Sequence, residues 1–345
     1  MAKRGPVSEV ETASPARAAA GPVRLSAEYL HLVVLPTEAC NFRCVYCYED
    51  FQHKQMEPGV VRGIKGLLTS RAPRLETLHL SWFGGEPLLA RGVIEDIMTH
   101  ARELAKANPR LRLASEATTN GYLLTRPVAE RHLDLGVTRY QISFDGPREW
   151  HDRKRVLAGG RGTFDAIWRN LQAMRDLERD FRVTVRVHVD RENAAVIPQF
   201  IDLCAAAFGS DSRFEMFIRG LSKLGGANDD TLAVFETADL DTALERLRSY
   251  ALSRGLRLLE FTEADNICYA ARPGSYVVRA NGDLNKCTVA LKHPNNRVGR
   301  ILEDGTVRVD AQMMLMWMRG LVSGSSAEMK CPMKNFAEPV NSDST

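Results

Sequence analysis

The sequence predicts an α/β fold: a partial (β/α)6 barrel with a small C-terminal α+β extension that contains cysteines. Strand-like and helix-like segments alternate six times between Tyr29 and Arg219, as in parallel βαβ units joined by right-handed crossovers. Six units are too few to close an eight-fold barrel. Each Gly-, Asn- or Asp-rich motif falls at the C-terminal end of a strand, which is the catalytic face of βα barrels. Past Gly225-Gly-Ala-Asn-Asp-Asp230 the pattern becomes shorter and turn-rich. The expected organisation is a loose lead-in over 1–25, a barrel over 26–222, a linker and helix–strand connection over 223–265, the extension over 266–336 and a loose tail over 337–345.

The elements follow in order. The apolar run Tyr29–Leu35 is the first strand, and a cysteine-rich loop comes directly after it. Pro58 to Leu68 reads as a helix, with Val61, Ile64, Leu67 and Leu68 on one face. The second strand, Glu76–Phe83, ends in Gly84-Gly85-Glu86-Pro87, and a helix over Gly92–Ala107 follows. Leu111–Thr119 is a strand ending in Asn120-Gly121, followed by a helix over Val128–Leu135. Arg139–Asp145 ends in Gly146-Pro147, and the next helix is Phe164–Leu177. The alternating strand Phe181–Asp190, the helix Val196–Phe208 and the strand Phe214–Arg219 complete the barrel. A helix over Asp239–Leu252, with Asp239 as N-cap, leads to Tyr276–Ala280, an Asn281-Gly282 hairpin signal and Asp283–Thr288.

The chain has 345 residues, 44% of them hydrophobic, enough for one large domain with an appendage. A formal charge of +3, with basic and acidic residues interspersed, argues against a nucleic-acid surface. No apolar stretch approaches the roughly 18 residues of a membrane span. Met1–Ala20 is rich in Ala, Arg, Pro and Ser and lacks the apolar core of a secretion signal, so a cytoplasmic location is expected. Reduced cysteines agree with that location.

The chemistry centres on Cys40-Asn-Phe-Arg-Cys44-Val-Tyr-Cys47. Three thiols within one loop suit an iron–sulfur cluster, zinc or cuprous copper. A cubane cluster held by three cysteines leaves one iron open for chemistry. A closed zinc site would need a fourth ligand, which His53 is near enough to supply. A disulfide framework fits poorly with an odd cysteine count in so long a chain. Cys204 falls on the apolar face of its helix and reads as core.

Cys40-x3-Cys44-x-Tyr46-Cys47 after a first strand resembles the signature of the radical S-adenosylmethionine (SAM) superfamily. That resemblance implies that Cys40, Cys44 and Cys47 hold a [4Fe–4S] cluster whose unique iron binds the amino and carboxylate groups of SAM. The reduced cluster would cleave SAM to methionine and a 5′-deoxyadenosyl radical that abstracts hydrogen from a substrate. Gly84-Gly85-Glu86-Pro87 resembles the family's GGEP motif, which implies contacts from the backbone and Glu86 to the SAM ammonium. Thr119 and Asn120, with Ser143 and Asp145, lie where the family places polar contacts to SAM, and their groups suit a ribose. Arg186 is a candidate for the SAM carboxylate.

Cys268 and Gly282-Asp-Leu-Asn-Lys-Cys287 resemble the opening of a SPASM or shorter twitch domain, and Cys331-Pro332 resembles its later cysteine cluster. No cysteine follows Cys331, so at most one auxiliary iron–sulfur cluster is expected, on Cys268, Cys287 and Cys331 with a non-cysteine fourth position; the alternative is a degenerate domain with no cluster. SPASM-type extensions imply a peptide maturase acting on a ribosomally synthesised precursor peptide, with cross-linking or epimerisation as the outcome and a flavodoxin- or ferredoxin-like electron donor. Gly160-Arg-Gly-Thr-Phe164 after Asp145-Gly-Pro147 follows the pattern of such enzymes. The segment before the first strand is too short for a leader-binding winged-helix domain. A small-molecule dehydrogenase of the twitch type is the alternative. Sulfatase-type formylglycine formation is a further one, although Thr288 stands where those maturases carry Asp after the cysteine. A non-catalytic iron–sulfur or zinc-binding protein is a different class, against which the GGEP segment argues.

Overall fold

The structure, a computed structural model, describes residues 27–49, 51–259 and 267–336. The lead-in expected over 1–25 and the tail over 337–345 lie outside the described residues. Six parallel strands stand side by side in chain order: β1 (Tyr29–Val34), β2 (Thr77–Trp82), β3 (Arg112–Thr119), β4 (Arg139–Phe144), β5 (Arg182–Val189) and β6 (Phe214–Gly220). Helices α1 (Pro58–Arg71), α2 (Arg91–Ala107), α3 (Arg126–Asp134), α4 (Arg148–Lys154), α5 (Phe164–Arg175) and α6 (Ile197–Phe208) make the crossovers. This is the partial (β/α)6 barrel expected from the alternation of patterns.

Helix periodicity explains the outer layer. Ile94, Ile97, Met98 and Ala101 recur at three- and four-residue steps along α2, and all are buried. Phe200, Ile201, Cys204 and Phe208 do the same on α6, so Cys204 is core as expected. Burial of each such aliphatic side chain contributes about 1.5–3 kcal/mol. On α1 the packed residue at the first turn is Val60 rather than Val61, which is only half-buried.

The extension continues the barrel's own sheet. β7 (Ser275–Val278) pairs in parallel with β1, His31 opposite Ser275, and β8 (Asp283–Asn285), β9 (Arg297–Ile301) and β10 (Val307–Val309) add antiparallel strands beyond it. The result is one ten-stranded sheet in the order β10-β9-β8-β7-β1-β2-β3-β4-β5-β6. Before the extension lies α7 (Thr237–Ser253), and after it α8 (Ala311–Ser323) and α9 (Ser326–Lys330). The cap of α7 is Glu236, and Asp239, expected as the cap, sits three residues further on, inside the first turn. Asp239 there faces the helix's N-terminal dipole, which also favours an acid.

Residues of β1 to β6 that point into the barrel alternate with those that meet the helices. Beneath the open end, His31 stacks on His79 with ring centroids 4.4 Å apart. The Ser81 hydroxyl donates to Glu116 at 2.8 Å and lies 2.9 Å from His31 Nε2. This polar layer floors the space above it.

Candidate active site

At the C-terminal ends of the strands is a cavity of about 360 Å³. Its walls include Cys40, Cys44 and Cys47, Gly84 and Gly85, Asn120 and Ser143, and the arginines Arg155, Arg186 and Arg219. Thr288 and Val289, just after Cys287, bring the extension to the same wall.

The cysteine loop has almost no regular structure of its own and is held by its neighbours. Arg43 N donates to Val156 O at 2.8 Å, Val45 N to Lys154 O at 3.0 Å, and Ala158 N to Asn41 O at 2.8 Å. Asn120 Nδ2 donates to Asn41 Oδ1 at 2.7 Å. Gly85 packs against the loop's entry: a Cβ there would lie 2.5 Å from the carbonyl oxygens of Glu38 and Ala39, which no side chain tolerates. Gly84 adopts φ +110°, and a Cβ on it would collide with the Thr37 carbonyl oxygen.

Burial pushes the Cys40 thiol up to about 12 and the Cys47 thiol up to about 11, and the nearby thiols add to both shifts. Burial likewise raises Cys44, although Arg155 opposes it. Three buried thiols with raised pKa values in a shared cavity ask for a cation to hold them as thiolates. The donor set is all sulfur, which suits iron–sulfur or zinc. Gly84 and Gly85 line the same cavity as the three sulfurs, which has room for a further ligand.

Behind the loop is a polar network. Tyr46 donates to Asp145 at 2.8 and 2.9 Å to its two oxygens and receives a hydrogen bond from Arg155 Nη1 at 2.8 Å. His188 Nδ1 lies 3.2 Å from Asp145. Burial pushes the Asp145 carboxyl up, but His188 and Arg155 outweigh it and hold the group below its usual range. Burial lowers His188 to about 4, so that it is neutral at pH 7.

The residues expected to contact SAM divide into two groups. Gly84, Gly85, Thr119, Asn120, Ser143 and Arg186 line the cavity. Ser143 has no side-chain hydrogen bond among the described residues, so its hydroxyl is available. Glu86, Pro87 and Asp145 are buried behind the wall. Glu86 is a buried cap: it accepts from Leu88 N at 2.9 Å, Thr119 Oγ1 at 2.7 Å and Asn120 N at 2.7 Å. Its carboxylate thereby fixes the Thr119–Asn120 corner against the Gly-Gly turn. Asp145 serves Tyr46 in the same indirect way. Arg155, His188, Arg219 and Tyr48 were not anticipated. Strand alternation could have found two of them: His188 lies two residues after Arg186 on β5, and Arg219 lies opposite His188 on β6.

The C-terminal cysteines also come together. Cys287 and Cys331 both raise Cys268, beyond the larger effect of burial. Cys268 N donates to Met329 O at 2.9 Å, which ties the α9 end to the segment before β7. Tyr269 hydroxyl lies 2.9 Å from Thr288 Oγ1. Among the described residues no helix is long and apolar enough to cross a membrane.

A cysteine trio at the open end of a six-unit βα barrel defines a class of cluster enzyme, and residues 34–204 match the radical SAM superfamily. The chain carries a radical SAM domain and belongs to that superfamily, whose enzymes use a [4Fe–4S] cluster and SAM. It is 32% identical over 202 residues to GTP 3′,8-cyclase of Klebsiella pneumoniae (strain 342), covering 53% of this chain and 57% of the cyclase. It is 28% identical over 245 residues to PqqA peptide cyclase of Rhodopseudomonas palustris, covering 69% of this chain and 59% of that protein. The matches span only 39% to 59% of the length of such curated relatives. Two solved structures share the fold. One is native anSMEcpe with bound AdoMet and Cp18Cys peptide (TM-score 0.63, 17% identity, 83% of this chain and 80% of that one). The other is Streptococcus suis SuiB bound to precursor peptide SuiA (TM-score 0.59, 16% identity, 83% and 65%).

Proposed function

We propose that this chain modifies a ribosomally made precursor peptide by hydrogen abstraction, giving a cross-link or an epimerised residue. When bound, the [4Fe–4S] cluster and SAM supply a 5′-deoxyadenosyl radical, with the electron coming from a flavodoxin- or ferredoxin-like donor. The protein's part is to bind, orient and exclude water. Cys40, Cys44 and Cys47 would hold the cluster as thiolates. Gly84 and Gly85 let the backbone approach the methionine end of SAM, and Asn120 and Ser143 offer an amide and a hydroxyl to its ribose. Glu86, Thr119, Pro87 and Asp145 keep those groups in place, and Arg186 offers a guanidinium to the SAM carboxylate.

The observation that carries the proposal is the shared wall: one cavity is lined both by the cysteine trio and by Thr288-Val289 of the extension. A substrate entering between barrel and extension would meet the open side of the sulfurs. PqqA peptide cyclase and the peptide-bound neighbours favour a peptide as that substrate. Cys268, Cys287 and Cys331 would hold an auxiliary cluster with a non-cysteine fourth position. Having only this one surviving trio also favours a second reading, the dehydrogenation of a small molecule, and the likeness to GTP 3′,8-cyclase supports a small substrate as well. Formylglycine formation has less support, because Thr288 offers a hydroxyl where that chemistry employs an acid.

The test is anaerobic reconstitution with iron and sulfide, followed by dithionite and SAM. Wild type should release 5′-deoxyadenosine and Cys44→Ala should not. With a candidate precursor peptide, loss of two hydrogens or solvent-deuterium uptake at one residue supports the peptide function. Tightly bound zinc with no 5′-deoxyadenosine would overturn it.

A further inference from the structure

Arg186 on β5 and Arg219 on the neighbouring strand β6 line the cavity, whose wall also includes Leu224, Thr288 and Val289. Among the described residues neither guanidinium has a hydrogen bond or an ion pair, and Arg186 Nε is buried with no partner at all. Burial lowers Arg186 to about 10, and of the charges that add to the shift Arg219 counts most, ahead of Arg155, with Tyr48 and Tyr46 opposing it. Burial lowers Arg219 too, against Tyr48. Arg155, the third arginine of the wall, differs from both because Tyr46 and Asp145 engage it. Glu49 is an acid on the same wall.

Taking a charge out of water costs several kcal/mol unless it is paired, and two like charges side by side add repulsion to that cost. A fold keeps such a pair where an anion will arrive. SAM brings a single carboxylate, and one arginine suffices to hold it. The second guanidinium is left over, with five donors in a planar fork that matches a carboxylate or phosphate.

We propose that Arg219 is a substrate-binding residue that takes an oxyanion carried by the substrate. This rests on the cavity being the SAM-dependent site described above. On the peptide function the group is the carboxylate of an acidic side chain close to the modified residue; a nucleotide phosphate has the same chemistry. Arg219 would fix the substrate's register from the β6 end of the cavity wall and would take no part in cleaving SAM.

The experiment uses the reconstituted full-length enzyme with SAM present, and titrates N-acetylglutamate amide and inorganic pyrophosphate separately by calorimetry. At least one of the two should bind saturably. Arg219→Gln should weaken that binding tenfold or more, and Arg219→Lys should retain part of it. The SAM affinity of Arg219→Gln should stay within about twofold of wild type. Preference for the glutamate probe points to an acidic peptide, and preference for pyrophosphate to a nucleotide. The proposal is overturned if neither anion binds, if binding survives Arg219→Gln, or if SAM affinity falls in parallel, which would give the arginine to the cofactor. Absence of 5′-deoxyadenosine in wild type would instead refute the SAM chemistry, while anion binding could still be scored.

Discussion

Glu86 lies in the Gly84–Pro87 turn with its carboxylate turned onto its own neighbours. Three donors converge on its buried carboxylate, so Gln at this position would set an amide N–H against one of them. Leaving a buried donor unsatisfied costs about 1–3 kcal/mol. Glu86→Gln should therefore lower the melting temperature and leave SAM affinity within about threefold. A tenfold loss of SAM affinity without destabilisation would instead give Glu86 direct contact with the ammonium. His132 offers a pH test away from the site. It lies on α3, with neither ring nitrogen hydrogen-bonded, and burial lowers it to about 4. The unfolded chain protonates this imidazole near pH 6.5. Stability should fall as pH drops from about 6.5 to about 4 and then level, because only the unfolded state binds the proton in that window. His132→Leu should flatten this acid limb, by up to about 3 kcal/mol, in denaturant titrations at several pH values.

At the scale of elements, the barrel was legible because its strands and helices follow strict apolar periods. α4 was not: Arg148-Glu-Trp-His-Asp-Arg-Lys154 has no apolar repeat, and the residues it buries are His151 and Lys154. That short helix matters, since the segment just after it supplies the backbone that pins the cysteine loop and also supplies Arg155. α8 had a visible signal that went unread: Asp310 caps it by accepting from Gln312 N and Met313 N, and Gly324 closes it at φ +73°. That the cysteines, the Gly-Gly turn and Ser143 meet on one cavity was legible, because residue type and spacing set them at the ends of neighbouring strands. That Glu86 and Asp145 are buried behind this cavity was not legible, because sequence shows that an acid is present but not which way it faces. Gly85→Ala tests the element that sets the loop's path. Its Cβ has no room against the backbone of Glu38 and Ala39, so reconstituted iron content should fall sharply while the far-UV spectrum of the barrel is kept.

For the whole molecule, the extension and the barrel form one sheet, and a buried ion pair links them at the cysteine loop. Arg279, just past β7, donates through Nε to Glu38 Oε1 at 2.8 Å and through Nη2 to Oε2 at 2.7 Å. Glu38 is wholly buried two residues before Cys40. Removing one partner of such a pair costs about 3–5 kcal/mol, because the other charge stays buried and alone. Arg279→Met should therefore lower both stability and cluster retention, and the double variant with Glu38→Gln should recover part of the loss. The extension would thus help to shape the cluster loop as well as wall the cavity.

The central claim is that Cys40, Cys44 and Cys47 hold an iron–sulfur cluster that SAM can reach in this cavity. The direct measurement is electron paramagnetic resonance of the dithionite-reduced, reconstituted Cys268/Cys287/Cys331→Ala variant, with and without SAM. The account predicts about four irons per chain and a cluster signal that changes when SAM is added. A signal indifferent to SAM, or zinc in place of iron, would contradict it.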